Sequence, residues 1–315
     1  MRERRNHSVR TAALQPKEPR KKYFLVYEGV ETEPIYFEAL VKCKEYSRIN
    51  PLIDMVPIIR GVSKEGWSNP YKLMKGFLAD LQACDEGTVT YNTLIDCIVD
   101  EARPGHVSKN SLYKSLKAIF TGSIGVTSLE DPVPVDRIKD ICNKIESETE
   151  LTKLVDTIPQ IIKEYAITYQ AGLDKICFVI DRDKHSFVKN ERIDQYGYVL
   201  SKCKENNFGF YLTNPCFEYW LLLHFEETSL LDKIALLENQ KINASGVPSR
   251  NGKTFTEREL NKVLPGFKKD NYDAESLMPR IDIAIRQEES LCESPEELEY
   301  SLGSRVGLLI KELRG

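Results

Sequence analysis

Four short apolar runs separated by segments of helical spacing constrain this chain more than any other feature. The runs are "KYFLVYEG" (22–29), "PLIDMVPIIRG" (51–61), "KICFVI" (175–180) and "FGFYLTN" (208–214). Each is rich in β-branched or aromatic residues and too short for a buried helix, so each reads as a buried strand. Between the first two, "TEPIYFEALVKCKEY" places Ile35, Phe37, Leu40 and Val41 on one inward face. Pro34 suits its first turn, and Thr32 or Glu33 its cap. A strand, a helix and a second strand make a βαβ unit with both strands parallel. Helices near "RIDQYGYVLSKCKENN" and "CFEYWLLLHFEE" follow the third and fourth strands. The alternation predicts an α/β fold, a parallel sheet flanked by helices.

The organisation around that core follows from changes of character. Residues 22–61 and 173–225 form the α/β core, and 62–172, five helical segments broken by Gly, Pro and Ser, read as a helical insertion. Residues 226–315 are mostly polar helices, expected to pack on the core, with a basic Gly-containing loop, "SGVPSRNGKTFTER". Residues 1–21 form a basic arm: through residue 22 the chain carries eight Lys/Arg against two Glu, so +6 of a net −4 sits there and −10 in the rest. Such an arm suits phosphate contact or a solubilising tail equally. Eight scattered cysteines without a C-x-x-C pair predict reduced, buried thiols in a cytoplasm. No apolar run is long enough to span a membrane, the N-terminus lacks the apolar core of a secretory signal, and no P-loop motif is present.

The strands end in acids. Asp181 and Asp183 follow "KICFVI" one residue apart, so in extended backbone both carboxylates leave one face, roughly 7 Å apart at their Cα atoms. Ligands of parallel sheets bind beyond the carboxyl ends of the strands. Two carboxylates there repel unless a cation such as Mg²⁺ lies between them. The alternative is a loop of solvated charges, or Asp181 as a helix cap. Glu28 ends the first strand. If strands one and three are neighbours, Glu28 faces the aspartates across one strand spacing, about 4.8 Å, and three carboxylates converge; taken alone, Glu28 is an ordinary strand-end charge.

These residues carry a resemblance. A glutamate after the first strand and D-x-D after a later one resemble the TOPRIM fold of topoisomerases, primases and overcoming-lysogenization-defect nucleases. More narrowly, "YEGVETEPIYF", "FVIDRDKH", "LTNPCFEYWLLLHFE", "VLPGFKKD" and "SRVGLLIKEL" resemble segments of the RloB family of bacterial defence-associated proteins. The resemblance covers 20–60 and 173–315 and leaves out the insertion. It implies a TOPRIM-like sheet and a metal-dependent nuclease, hydrolysing DNA or RNA, tRNA included, as the effector of an anti-phage abortive-infection system beside a partner ATPase. It implies Glu28, Asp181 and Asp183 as ligands of Mg²⁺ or Mn²⁺, and a second acid that holds another ion or orients water. One extra residue between Gly29 and Thr32 leaves Glu31 and Glu33 as alternatives for that acid, with Glu33 also suited to a helix N-terminus.

Asn214 reads as the cap of the next helix, with Glu218 one turn in, able either to complement the helix dipole or to reach the metal centre. Trp220 and Leu221–Leu223 read as core and His224 as a satisfied buried histidine; His185 on its loop is solvent-facing or an acid–base group. Arg182, Lys184, Arg250, Lys253, Lys268 and Lys269 are cations able to hold a phosphate backbone; Arg182, Lys184, Lys268 and Lys269 are the expected substrate contacts, with Tyr272 either stacking on a base or packing. The rival reading is a non-catalytic TOPRIM-like module partnering a defence ATPase, with the insertion as its docking or homo-oligomer surface.

Overall fold

A computed structural model describes residues 20–29, 31–58, 69–85, 88–101, 108–134, 137–149, 151, 154, 158, 172–183, 187–190, 193–243 and 245–315. The basic arm through residue 19, the end of the second apolar run, most of the last helical segment of the insertion, Lys184 and His185 lie outside these residues.

Four strands form the parallel part of the central sheet: β1 (Lys21–Tyr27), β2 (Ile53–Ile58), β5 (Lys175–Asp181) and β6 (Gly209–Asn214), β3 and β4 being a small separate pair. Their spatial order is β2-β1-β5-β6, so the first and third apolar runs are neighbours, the condition on which Glu28 meets the aspartates. A fifth strand, β7 (Gly303–Ser304), pairs antiparallel on the β6 edge. The sequence reading lacked it, because two residues carry no periodicity. Gly303 allows the close approach there: a Cβ would stand 2.2 Å from the Cys292 carbonyl oxygen.

The strands β1, β5 and β6 are buried on both faces, whereas β2, at the sheet edge, is half-buried with Pro57 exposed, where the sequence predicted a buried strand. Period two divides the side chains of β1, β5 and β6 between two cores. On one face Tyr23, Leu25, Tyr27, Cys177, Val179 and Tyr211 join Tyr36, Phe37 and Leu40 of α1 (Thr32–Lys42). On the other, Phe24, Val26, Phe178, Ile180 and Leu212 meet Leu73, Met74 and Phe77 of α2 (Pro70–Asp85) and Val199 and Cys203 of α6 (Gln195–Glu205). Each buried aliphatic or aromatic side chain gains roughly 1.5–3 kcal/mol, which outweighs the weaker pairing of a parallel ladder. Of the face expected on α1, Val41 is exposed instead, and Tyr36 takes the buried position. Glu31, without a side-chain bond, stands at the cap, where Thr32 or Glu33 was expected.

The α7 helix (Phe217–Leu222) follows β6 and is buried throughout, Trp220, Leu221 and Leu222 included. Asn214 is not its cap. Cys216 holds that position, after a cis Asn214–Pro215 bond, and the Asn214 amide donates instead to the Leu298 carbonyl at 2.7 Å. The C-terminal helices α8 (Lys233–Glu238), α9 (Phe255–Val263), α10 (Ile281–Glu288) and α11 (Val306–Arg314) share the first core through Leu236, Leu260, Ile281, Ala284, Leu309 and Ile310.

Within the insertion, α3 (Tyr91–Glu101), α4 (Lys109–Gly122), α5 (Ile138–Glu148) and the antiparallel pair β3 (Thr88–Thr90) and β4 (Pro132–Pro134) enclose a third core. Leu94, Ile98, Leu116, Phe120, Ile141 and Ile145 form it, with no residue in common with the other two.

Candidate active site

The site is assembled by strand pairing. Tyr27 stands opposite Val179 in the β1–β5 register, so Glu28 emerges beside the end of β5. The Glu28 N–H donates to the Val179 carbonyl at 3.2 Å, and the Asp181 N–H donates to Glu28 Oε2 at 3.0 Å. Two acids 153 positions apart are thereby in contact. Asp181 in turn lies opposite Thr213, whose strand leads through Pro215 into α7 and Glu218.

Glu33 joins the same cluster. Its side chain is 4% exposed, and its Oε1 accepts the Gly29 N–H at 3.2 Å. Glu31 is exposed, so the structure turns Glu33, of the two alternatives, inward. Gly29 makes room for it: a Cβ there would stand 2.2 Å from Glu33 Oε2. Burial, with Glu218 adding, raises the Glu33 carboxyl to about 6, against its own backbone and Gly29 hydrogen bonds. Burial, then the charges of Glu33, Glu28 and Glu218, holds the Asp181 carboxyl well above the usual carboxylate range. Four carboxylates from β1, α1, β5 and α7 therefore repel one another in a desolvated place.

Lys269 answers part of that charge. Its Nζ lies 2.8 Å from Glu218 Oε1 and 3.6 Å from Glu257 Oε1. Burial works against its ammonium, but Glu218 and the acids beside it overcome this and hold it above the ordinary range. The compensation is incomplete. Asp181 Oδ1 and Glu218 Oε2 are buried without a hydrogen-bond partner. An unsatisfied buried acceptor costs about 1–3 kcal/mol, more when charged, and such atoms mark places where an ion or water belongs.

The donors suit a hard cation. All are carboxylate oxygens, the set Mg²⁺ or Mn²⁺ prefers. Cys216 lies against them, but burial, with Glu218 and Asp181, holds its thiol well above its usual range, so it offers no thiolate. Among the described residues no three His, Cys, Asp or Glu side chains yet stand at metal-ligand geometry. The Lys269 ammonium fills the role of counter-charge in this arrangement.

Asp181, Asp183 and Glu218 line a cavity of about 850 Å³, together with Lys269 and residues 239–241, 248–250, 252 and 254. Glu28 and Glu33 stand behind Asp181 and outside the lining. Arg182, expected on substrate, is turned inward: its side chain is 12% exposed, 3.8 Å from Glu299 Oε1 and stacked over Phe187 and Tyr196. Lys268 is exposed but outside the cavity, on a bridge with Asn271. Lys269 is in the cavity, bound to acids. Tyr272 packs, its ring 5.2 Å from Phe267 and its hydroxyl donating to the Thr32 carbonyl at 2.7 Å. His224 is buried and 3.0 Å from the Tyr36 hydroxyl, and burial lowers its pKa to about 4.

Sequence reasoning missed Glu257, Cys216 and Lys241 in the lining. Glu257 had a signal, the capping box Thr254-x-x-Glu257, observed with both bonds made. The box uses Glu257 Oε2 on the Thr254 N–H at 2.7 Å, and Oε1 is the atom nearest Lys269.

No described helix is long and apolar enough to cross a membrane. No curated protein and no solved structure matches the chain. A family model, that of RloB-like proteins, matches residues 124–313, a span that contains Asp181, Asp183, Glu218 and Lys269 and begins after Glu28 and Glu33. That span is more than half of the sequence, and with it the chain belongs to the RloB-like protein family.

Proposed function

We propose that this protein is a TOPRIM-type, metal-dependent nuclease that hydrolyses phosphodiester bonds of DNA or RNA. We place it in the cytoplasm, as the effector of an anti-phage abortive-infection system with a partner ATPase. The observation that carries the reading is the pair of buried, unpartnered oxygens, Asp181 Oδ1 and Glu218 Oε2, beside Glu28 and Glu33 at one lip of the sheet.

Glu28, Asp181 and Asp183 would hold Mg²⁺ or Mn²⁺, with Glu218 turned to it by α7. When bound, the ion supplies charge stabilisation on the phosphate and a more acidic water. The chain's own residues do the rest. Glu28 fixes the end of β5 through the Asp181 N–H. Glu33, buried beside Asp181, would orient a water at the cluster. Lys269 holds Glu218 in place and offers an ammonium to the developing negative charge.

The internal Lys269–Glu218 pair also favours a second reading, a module that partners an ATPase without turnover, because it compensates acid charge without an ion. One experiment separates the two. The full chain, alone and with its partner ATPase, is incubated with labelled DNA and RNA in Mg²⁺ or Mn²⁺, and Mn²⁺ binding is titrated calorimetrically. Binding and cleavage, both lost in Asp181→Asn, are expected. Absence of both under all these conditions would remove the nuclease reading.

A further inference from the structure

The cavity has a side that the acid cluster does not explain. Asn239, left-handed at φ 45, ends α8 and starts the segment. Its side-chain oxygen accepts the Thr256 N–H at 3.0 Å, anchoring the segment to α9. Ile242 bridges to both Pro248 and Lys253, and the Ser249 N–H donates to the Lys241 carbonyl at 2.9 Å. The Asn243 side chain accepts the Ser245 and Val247 N–H groups, both at 3.0 Å. At Gly252 the two legs touch: a Cβ would stand 2.2 Å from the Ile242 carbonyl oxygen. This is a built hairpin-like loop.

It holds Lys241 on one leg and Arg250 on the other, both lining the cavity. Among the described residues neither side chain meets an acid within ion-pair distance, although Lys175, Lys189 and Lys269 all do. The nearest carboxylate in sequence, Glu238, accepts from Gln240 Nε2 at 3.4 Å. Both side chains are exposed, so both charges are open to an anion that enters the cavity from solvent. Pro215, Leu237 and Pro248 line the same cavity. Exposed cations, apolar side chains and buried acids in one cavity match the parts of a nucleotide: a flanking phosphate, a base and the reacting phosphate.

We infer that Lys241 and Arg250 form a subsite for the phosphate next to the one at the acids, and that the cavity takes a single-stranded segment of nucleic acid. The substrate class follows from the difference in exposure along the cavity. Glu218 is 2% exposed, whereas Lys241 and Arg250 in the same lining are exposed. A duplex keeps its bases stacked inside and its backbone on a rigid outer surface, whereas a single strand can splay a base against the apolar side chains and lower its backbone into the cavity. The inference deepens the nuclease reading and rests on it for the position of the reacting phosphate.

The test needs no turnover. Binding of fluorescent single-stranded oligo(dT), oligo(U) and a random-sequence duplex to the full chain is measured by anisotropy in EDTA over a KCl series. Single strands are expected to bind more tightly than the duplex. Lys241→Gln with Arg250→Gln should weaken single-strand binding about tenfold and lower the slope of log affinity against log salt by about 1.4. Either single change should give part of this. Lys44→Gln, exposed and outside the cavity lining, should leave it unchanged. Equal binding by the double variant and the unaltered chain, with matching melting curves, overturns the subsite; a duplex bound as tightly as the single strands overturns the substrate class. Cleavage with no effect of the loop variants would sink the subsite alone, and loop-dependent binding without cleavage would sink the nuclease alone.

Discussion

The molecule buries polar groups in two ways. At the start of α11, Glu288 is fully buried, yet its oxygens accept the Gly307 N–H at 2.8 Å and the Leu308 N–H at 3.0 Å. Burial raises its carboxyl to about 7, opposed by those bonds and one from Ser304. His224 is satisfied in the same manner, by Tyr36 and the carbonyls of Trp220 and Leu221. At the lip of the sheet, Asp181 and Glu218 each keep one oxygen without a partner, and three neighbouring acids raise Asp181 further. Burial of charge is common to both places. What differs is that donors were supplied in one and withheld in the other. The two oxygens left without donors belong to acids that the proposed function sets at the metal centre.

The sharpest way to break this contrast is at Asp181. Asp181→Asn should lower cleavage by at least about a thousandfold and remove strong Mn²⁺ binding. It should leave the metal-free melting temperature unchanged or higher, because an unpaired buried charge is gone. A metal-free protein that loses stability instead would place Asp181 among the structural acids.

His224 supplies the next effect, through pH. Its folded pKa of about 4 lies below the ordinary 6.5, so below pH 6.5 the unfolded chain takes up a proton that the folded chain refuses. Stability from this group is whole above pH 6.5 and is lost as pH falls through 4, about 3 kcal/mol in all. Denaturant midpoints of the unaltered chain and His224→Gln, compared at pH 7.5 and 4.5, should converge at the acid end.

Glu288→Gln exchanges one accepting oxygen for an amide that faces a backbone N–H. A loss of about 1–3 kcal/mol is expected by chemical denaturation, with Mn²⁺ affinity unaltered. Weakened Mn²⁺ binding would erase the distinction between the two kinds of burial.

Gly29→Ala is the smallest step. The new methyl must push the Glu33 carboxylate aside, costing about 1 kcal/mol of stability. Calorimetry should show weaker Mn²⁺ binding with Glu33 displaced; unchanged binding would assign Glu33 to the helix terminus alone.

The parts of this arrangement visible in the sequence are those set by period two and by strand order. "KICFVI" ending in Asp181 and "KYFLVYEG" ending in Glu28 pointed to the parallel sheet, because an apolar run buried on two faces has few alternatives, and to a meeting of acids on the condition that the two strands are neighbours. Glu218 was visible less directly, one turn into a helix after a strand of the same polarity. The direction of a side chain beyond a strand end was not visible. Arg182 sits between two cavity-lining aspartates and still points the other way, into Phe187, Tyr196 and Glu299. Neighbouring positions in extended backbone face opposite sides, so the rule that pairs Asp181 with Asp183 turns Arg182 away. Arg250 was named among the cations able to hold phosphate, but Lys241 and its pairing with Arg250 were hidden for a different reason. Their proximity depends on loop bridges that have no periodic signature.

Glu28 and Asp181 touch across a parallel ladder, while the stretch of chain joining them includes a helical unit whose core shares no residue with theirs. A backbone severed inside that unit would leave two polypeptides still clasped by β1 against β5. Reassembly of such halves would rest on that one ladder and the two cores on its faces, and the return of the acids to one another would report it.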